Sequence, residues 1–136
     1  MEVERARSLL RHWHEAQGAF YAGGEEAPLL PLLAKDILWS VPGTNAIAGR
    51  YHGIDEVLAY FRRRRELARH SMRMHPGDVL VGEGDHVAVL TDGTAVLRGV
   101  EHRWSTVGLY RFDGDLLAAC WLLALDQRAF DAIWQG

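Results

Sequence analysis

The sequence predicts an α+β domain in which helices pack against a curved, mostly antiparallel sheet that wraps around them. Two observations lead to this prediction. The first half of the 136-residue chain places apolar residues at helical spacing, and the second half contains four extended segments joined by short turns. Consecutive long strands after a run of helices indicate an α+β architecture with the helices on one face of the sheet. We expect one domain over residues 1–136, because this length suits a single hydrophobic core.

The individual elements follow from apolar spacing and from the residues at their ends. Between Val3 and Tyr21 apolar residues recur every three or four positions, and two glycines then end the helix. Glycine and aspartate fill the links between the later segments, which are of hairpin length. The elements expected in chain order are helices at 3–21 and 28–34, a strand at 36–41, an extended piece at 48–52, a helix at 54–69, strands at 72–81, 86–98, 102–112 and 116–125, and a short helix at 127–134.

The segment 86–98 allows two interpretations. Asp92-Gly93 is a strong two-residue hairpin signal, which would divide the segment into two short strands. We favour one long bent strand with a bulge at Gly93, because a sheet that closes over a helix has to curve.

Composition excludes several classes of protein. The chain carries 15 basic and 18 acidic residues and no large basic block, so we expect no nucleic-acid partner. Its one cysteine, Cys120, allows no internal disulfide, and no His-x-x-x-His or Cys-x-x-Cys pair suggests a metal. No apolar run approaches the roughly 18 residues of a membrane span, and the N-terminus lacks a signal-peptide core. We therefore expect a cytoplasmic protein without metal or cofactor.

Four local motifs, in this order and spacing, resemble the SnoaL-like branch of the nuclear transport factor 2-like superfamily. Residues 38–43 read LWSVPG, and residues 48–61 read AGRYHGIDEVLAYF, which leads into the third helix. Residues 110–114 and 126–134 resemble the last hairpin and the C-terminal tail of that family. The resemblance implies a cone-shaped α+β barrel, a pocket between helices and sheet, and a homodimer formed through the outer sheet face.

The resemblance does not imply one activity. Relatives include polyketide cyclases, ketosteroid isomerases, epoxide hydrolases and dehydratases, and also proteins without catalysis. The isomerase base and oxyanion positions fall at Val41 and Gly108, and neither residue can move a proton. Steroid isomerase chemistry by that mechanism is therefore disfavoured.

Three other polar residues are candidates for proton transfer. Asp92 would be a mid-strand carboxylate, and burial of such a group makes a general acid or base, although an exposed turn aspartate is the alternative. His75 would be a pocket base or a strand-end histidine bonded to backbone. Tyr110 shares a strand face with Gly108, Thr106 and Trp104, so it would donate to a substrate carbonyl or fill the core.

Aromatic and apolar side chains are expected to form the pocket wall. Five tryptophans are many for this length, and rings on a concave sheet suit a flat apolar ligand, although several of them would also serve as core. The expected lining is Trp13, Trp39, Val41, Phe61, Met74, Trp104, Thr106, Gly108 and Trp121. The run 62–65, four arginines, is interpreted as a solvated helix end, with an anion-binding rim as the alternative.

Together these features predict a cofactor-independent cyclase, isomerase or hydrolase that acts on a small apolar molecule, polyketide-like or carbonyl-bearing. The alternative is a non-catalytic dimeric domain of the same fold that holds a small hydrophobic ligand.

Overall fold

Six strands form one curved sheet, and three helices pack against it or close its end. The computed structural model describes residues 1–136. In chain order the elements are α1 (Val3–Tyr21), a 3₁₀ helix (Ala27–Leu32), β1 (Leu33–Val41), β2 (Gly49–His52), α2 (Gly53–Leu67), β3 (Arg73–Val81), β4 (His86–Leu97), β5 (Val100–Asp113), β6 (Leu116–Ala124) and α3 (Gln127–Ile133). None of the helices is both long and apolar enough to cross a membrane.

The strands lie in the order β2–β1–β6–β5–β4–β3. Every neighbouring pair is antiparallel except β1 and β6, which run parallel. In β4 and β5 the buried residues alternate with more exposed ones, so each strand has one face toward the helices and one face outward. The predicted α+β class with a mostly antiparallel sheet is confirmed.

The second predicted helix differs from the structure in type and extent. It is a 3₁₀ helix that ends at Leu32, and β1 begins directly at Leu33, three residues before the predicted start. Pro31 lies inside this segment, and a proline lacks the N–H that a continuing α-helix needs. The chain therefore turns to extended backbone earlier than the apolar spacing indicates.

The structure confirms one continuous strand at β4, but the predicted bulge at Gly93 is wrong. The β4–β5 register runs unbroken from His86 to Leu97. Gly93 is needed because the indole of Trp104 lies against it, and an added Cβ would come within 2.3 Å of the ring. The irregularity falls instead in β3, between Pro76 and Val79.

The helix α2 supplies the centre of the core. Val57 and Phe61 are fully buried and Leu58 is 4% exposed, as predicted for a helix enclosed by the sheet. Phe61 meets Trp39 of β1 edge to face, with ring centroids 5.0 Å apart. Trp13 of α1 packs on the same phenyl ring at 5.8 Å. Aromatic contacts therefore join both long helices to the sheet.

The helix α3 is fastened across the end of the sheet by polar contacts. The Asp131 carboxylate accepts hydrogen bonds from the Asn45 amide at 2.7 Å and the Gln127 amide at 3.0 Å. These bonds, that from Asn45 foremost, lower the pKa of the Asp131 carboxyl. At the C-terminus of α3 the Arg98 guanidinium donates to the Ile133 carbonyl at 3.0 Å, a favourable cation at a helix C-terminus.

We expect Phe61→Ala to lower the free energy of unfolding by about 3–5 kcal/mol, because truncation of a buried phenylalanine leaves a cavity. Urea unfolding followed by circular dichroism measures this change. Ala59→Ser, an exposed position on the same helix, is the control and should stay within about 0.5 kcal/mol of wild type. A Phe61→Ala cost no larger than that of the control would contradict this packing.

Candidate ligand-binding site

The helices and the concave sheet face enclose a narrow interior cavity. Its volume is about 10 Å³, close to the roughly 10–15 Å³ that one water molecule requires. The wall is mainly aromatic and apolar, and Arg64 supplies its one charged group. The lining residues are Gln17, Trp39, Arg64, Met74, Thr91, Trp104, Thr106, Gly108, Tyr110, Leu122, Phe130 and Trp134.

Strand alternation determines which residues reach this cavity. On β5 the inward positions are Trp104, Thr106, Gly108 and Tyr110, the face expected from their shared parity. Gly108 leaves space for its neighbour, because an added Cβ would lie 2.9 Å from the Tyr110 ring. The missing side chain at 108 therefore shapes the wall as much as the side chains that are present.

Arg64 is the charged group of the interior, which corrects the interpretation of the whole arginine run as solvated. Its side chain is 3% exposed, whereas its neighbours Arg62 and Arg63 are exposed. The physical reason is helical spacing, since position 64 lies one turn beyond the buried residues Tyr60 and Phe61. Four consecutive residues cover the full circumference of a helix, so one of them has to face the core.

The Arg64 guanidinium is held by aromatic, hydroxyl and sulfur groups and not by a carboxylate. It donates to the Tyr60 hydroxyl and to the sulfur of Met72 at 3.4 Å. Its central carbon lies 5.1 Å from the Tyr21 ring centroid and 5.2 Å from that of Tyr60, within cation–π range. No aspartate or glutamate lines the cavity, and none lies within ion-pair distance of this arginine.

The titratable groups around the guanidinium are protonated and uncharged at neutral pH. Burial raises the pKa of the Tyr21, Tyr60 and Tyr110 phenols, so they keep their protons at neutral pH. Burial also raises the pKa of the Cys120 thiol, which argues against a nucleophilic role. The indole N–H of Trp134 is buried without a hydrogen-bond partner. The interior thus presents several donors and one positive charge.

The predicted placement of Asp92 and His75 in the pocket is wrong. Thr91 and Gly93 occupy the buried positions of β4, so the carboxylate between them points to the outer face. There Asp92 is exposed and accepts a hydrogen bond from the Ser105 hydroxyl at 2.6 Å. His75 is its direct cross-strand neighbour on β3 and is also exposed. Tyr110 does line the cavity, and its role stays a prediction.

The expected lining is divided among three environments. Trp39, Met74, Trp104, Thr106 and Gly108 line the cavity, whereas Trp13, Val41 and Phe61 are buried in the core beside it. Trp121 is wrongly placed, because Cys120 and Leu122 take the inward positions of β6. The Trp121 indole instead stacks on His86 of the outer face, with centroids 6.2 Å apart.

A second concavity, the α1–β3 groove, lies beside the interior. Its volume is about 380 Å³. The residues lining this groove are Arg7, Leu10, Arg11, His14, Glu15, Met74, Pro76, Val79 and Val89. No sequence pattern marks His14, because position 14 flanks the apolar stripe of α1.

His14 is the unusual polar group of this groove. Burial lowers the pKa of its imidazole from the usual 6.5 to about 4, against a backbone hydrogen bond at Leu10 that acts to raise it. The ring is therefore neutral at pH 7. Its Nε2 atom is buried without a hydrogen-bond partner, and the ring meets Tyr110 edge on at 6.2 Å.

Comparison with known proteins gives the family. The profile of the SnoaL-like domain matches residues 10–120, and the chain therefore belongs to the SnoaL-like family. No curated protein matches the chain. No group of three histidine, cysteine, aspartate or glutamate side chains lies close enough together to hold a metal ion.

Solved structures show the same fold at low sequence identity. The protein Bal32a from a soil-derived mobile gene cassette is 21% identical, with a TM-score of 0.86 over 99% of this chain and 100% of the other. A protein of unknown function from Burkholderia pseudomallei, described as nuclear transport factor 2-like, is 21% identical, with a TM-score of 0.79 and full coverage of both chains. TerC, co-crystallised with polyporic acid, is 18% identical, with a TM-score of 0.74 over 95% of this chain and 96% of the other.

We expect His14 to make the fold sensitive to acid. The unfolded chain binds a proton at this residue below about pH 6.5, whereas the folded chain binds it only near pH 4. The stability contributed by the neutral ring is complete above pH 6.5 and is lost as the pH falls to about 4. Urea unfolding between pH 7.5 and 4 should show wild type losing about 3 kcal/mol relative to His14→Phe.

A control at a neighbouring histidine makes this measurement specific. His12→Phe changes an exposed histidine two residues away and should keep the wild-type pH profile. Arg11 and Glu15 also lie on the groove and are present in every variant. Parallel pH profiles for wild type and His14→Phe would show that the imidazole is protonated equally in both states.

Proposed function

We propose that the interior binds a small, flat molecule with an apolar body and an anionic oxygen, and that this oxygen contacts the Arg64 guanidinium. A carboxylate, an enolate or a phenolate fits this description. The observation behind the proposal is a buried guanidinium without a carboxylate partner in the wall of an aromatic cavity.

The energetics of burial support this proposal. Removing an ion from water costs several kcal/mol unless another charge compensates. The rings of Tyr21 and Tyr60 compensate in part, since a desolvated cation–π contact is worth about 2 kcal/mol. An anionic ligand would supply the missing charge, and a planar guanidinium binds carboxylate oxygens in a two-pronged geometry.

The rest of the wall suits the apolar body of such a ligand. Indole and phenyl rings from Trp39, Trp104, Phe130 and Trp134 surround the cavity, and flat ligands pack well on aromatic faces. TerC, which shares the fold, was co-crystallised with an acid, polyporic acid.

Ligand binding is favoured over the predicted cyclase, isomerase or hydrolase activity by the chemistry of the wall. Arg64 and the protonated phenol of Tyr110 can donate, but no carboxylate in the wall can take a proton. An enzymatic role keeps one supporting observation. Donors and a cation in this enclosed cavity would stabilise the enolate oxygen of a carbonyl substrate, as an oxyanion hole does.

Two probes of equal size test the proposal. We expect 2-naphthoate to quench the tryptophan fluorescence of wild type at lower concentration than 2-naphthamide does, because only the acid carries a charge. Arg64→Met should lower the affinity for 2-naphthoate at least about tenfold and leave the affinity for the amide unchanged, as expected for loss of a charge-assisted hydrogen bond. Arg50→Met, an exposed arginine on β2, is the control. Equal affinity of wild type for acid and amide contradicts the proposal.

The outer sheet face supports the predicted homodimer. Leu109 of β5 is 38% exposed and Leu123 of β6 is 60% exposed, and Leu90 and Trp121 adjoin them. A contiguous apolar face of this kind marks a protein–protein contact, and a second copy offers a self-complementary partner.

Sedimentation at micromolar concentration should therefore give twice the chain mass of 15.3 kDa. The double variant Leu109→Arg/Leu123→Arg should sediment as a monomer, because charge repels charge across the two-fold axis. Val3→Arg, an exposed apolar position on α1, should remain dimeric. A wild-type monomer rejects this interface.

A further inference from the structure

The proposed ligand cannot enter the interior as it stands. A volume of about 10 Å³ holds one water and no organic molecule. Some part of the wall has to move, and two parts are candidates. One is the C-terminal segment with Phe130 of α3 and the following Trp134, and the other is the side of β3 that carries Met74.

The contacts of α3 oppose movement there. Asp131 joins the helix to the 44–45 loop through the Asn45 amide and the Thr44 backbone N–H, the latter at 3.1 Å. Arg98 holds the C-terminal end of the helix through backbone carbonyls, and the Trp134 carbonyl accepts from the Ala46 N–H at 2.8 Å. Opening at α3 would break all of these bonds together.

Met74 is the one residue that lines both the interior cavity and the α1–β3 groove, so its flexible side chain lies between the two. Its sulfur lies 4.0 Å from Arg64 Nη2, which places the guanidinium directly behind it. Methionine is unbranched and changes rotamer easily. Movement of one thioether would therefore connect Arg64 to a groove of about 380 Å³.

The backbone beneath Met74 is also lightly held. β3 is the last strand of the sheet and pairs only with β4. Its ladder is interrupted between Pro76 and Val79, just beyond the methionine. Edge strands with an irregular ladder open at lower cost than central strands.

The groove offers its own ligand contacts. Leu10, Val79 and Val89 give it an apolar floor, and Arg11 lies at its side without an ion-pair partner. His14 also lines the groove. Its Nε2 atom is buried without a hydrogen-bond partner, and its ring contacts Tyr110 of the interior. A buried polar atom of this kind is normally paired, and a ligand spanning both spaces would pair it.

We propose that the α1–β3 groove is the entrance and outer half of the ligand site, with the Met74 side chain as the gate to Arg64. The ligand class is an aromatic hydroxy acid, with its acid on Arg64 and its hydroxyl donating to His14 Nε2. This assignment rests on the proposed anion site at Arg64 and adds to it the route and the second polar contact.

Stopped-flow tryptophan fluorescence with 2-naphthoate tests the gate. Met74→Ala removes the separating side chain and should raise the association rate about tenfold, and Met74→Phe should lower it by a similar factor. Leu80→Ala is the matched control, since it shortens an exposed side chain of the same strand that lines neither the cavity nor the groove. It should leave the association rate near that of wild type. Circular dichroism confirms that each variant is folded.

A second probe tests the polar contact. Wild type should bind 6-hydroxy-2-naphthoate about tenfold more tightly than 2-naphthoate, and His14→Phe should remove that difference while keeping the affinity for 2-naphthoate. If wild type binds the two acids equally, the assignment of His14 is overturned.

The outcomes separate this inference from the proposed function. If neither Met74 substitution changes the association rate, the gate is overturned, even where wild type binds the acid more tightly than the amide. Loss of that preference, with rates that still respond to Met74, overturns the anion site and leaves the entrance standing. Failure of 2-naphthoate to bind wild type at millimolar concentration overturns both.

Discussion

The buried guanidinium of Arg64 sets the requirements that the surrounding structure meets. An arginine that leaves water retains its charge, so the protein has to supply other stabilisation. Here α2 directs the side chain inward, and Tyr21 and Tyr60 offer ring faces from two helices. Burial in turn keeps the phenols protonated, so their hydroxyls can donate to a ligand oxygen and cannot act as bases. The donor character of the interior thus combines one positive charge with phenols that burial keeps protonated, although the Arg64 charge acts to lower their pKa.

Much of the fold was predictable because the period of a pattern is a local property. The spacing of apolar residues predicted α1 and α2 to within two residues at each end, and parity along β5 put Thr106 and Tyr110 on one strand face, which lines the cavity. The hairpin signal at Asp92-Gly93 was overruled by tertiary structure. The Trp104 indole on the neighbouring strand occupies the space that a side chain at position 93 would take. This contact is visible only when the strands are paired.

The site was less predictable because parity shows which residues share a face but not which face is inside. Asp92 shares parity with Leu90 and Val96, and these apolar neighbours suggested an interior position. They belong to the outer face instead. Arg64 was hidden for the opposite reason, since a run of arginines is normally a solvated surface. Only the position of Tyr60 and Phe61 one turn earlier indicated that one arginine faces the core. Polar residues on amphipathic elements have to be assigned by register, because composition alone misleads.

The parallel pairing of β1 with β6 has a consequence for how the chain folds. Leu38 pairs with Ala119 and Trp39 with Cys120, so β1 completes its pairing only after β6 has formed. Contacts so distant in sequence form slowly, because the intervening loop has to close first. Until β6 forms, β1 is paired with β2 on one side only, and its other edge is open to pairing with other chains. The wall around Arg64 is complete only after β6, which supplies Leu122, has paired with β1, so the interior depends on the contact that is slowest to form.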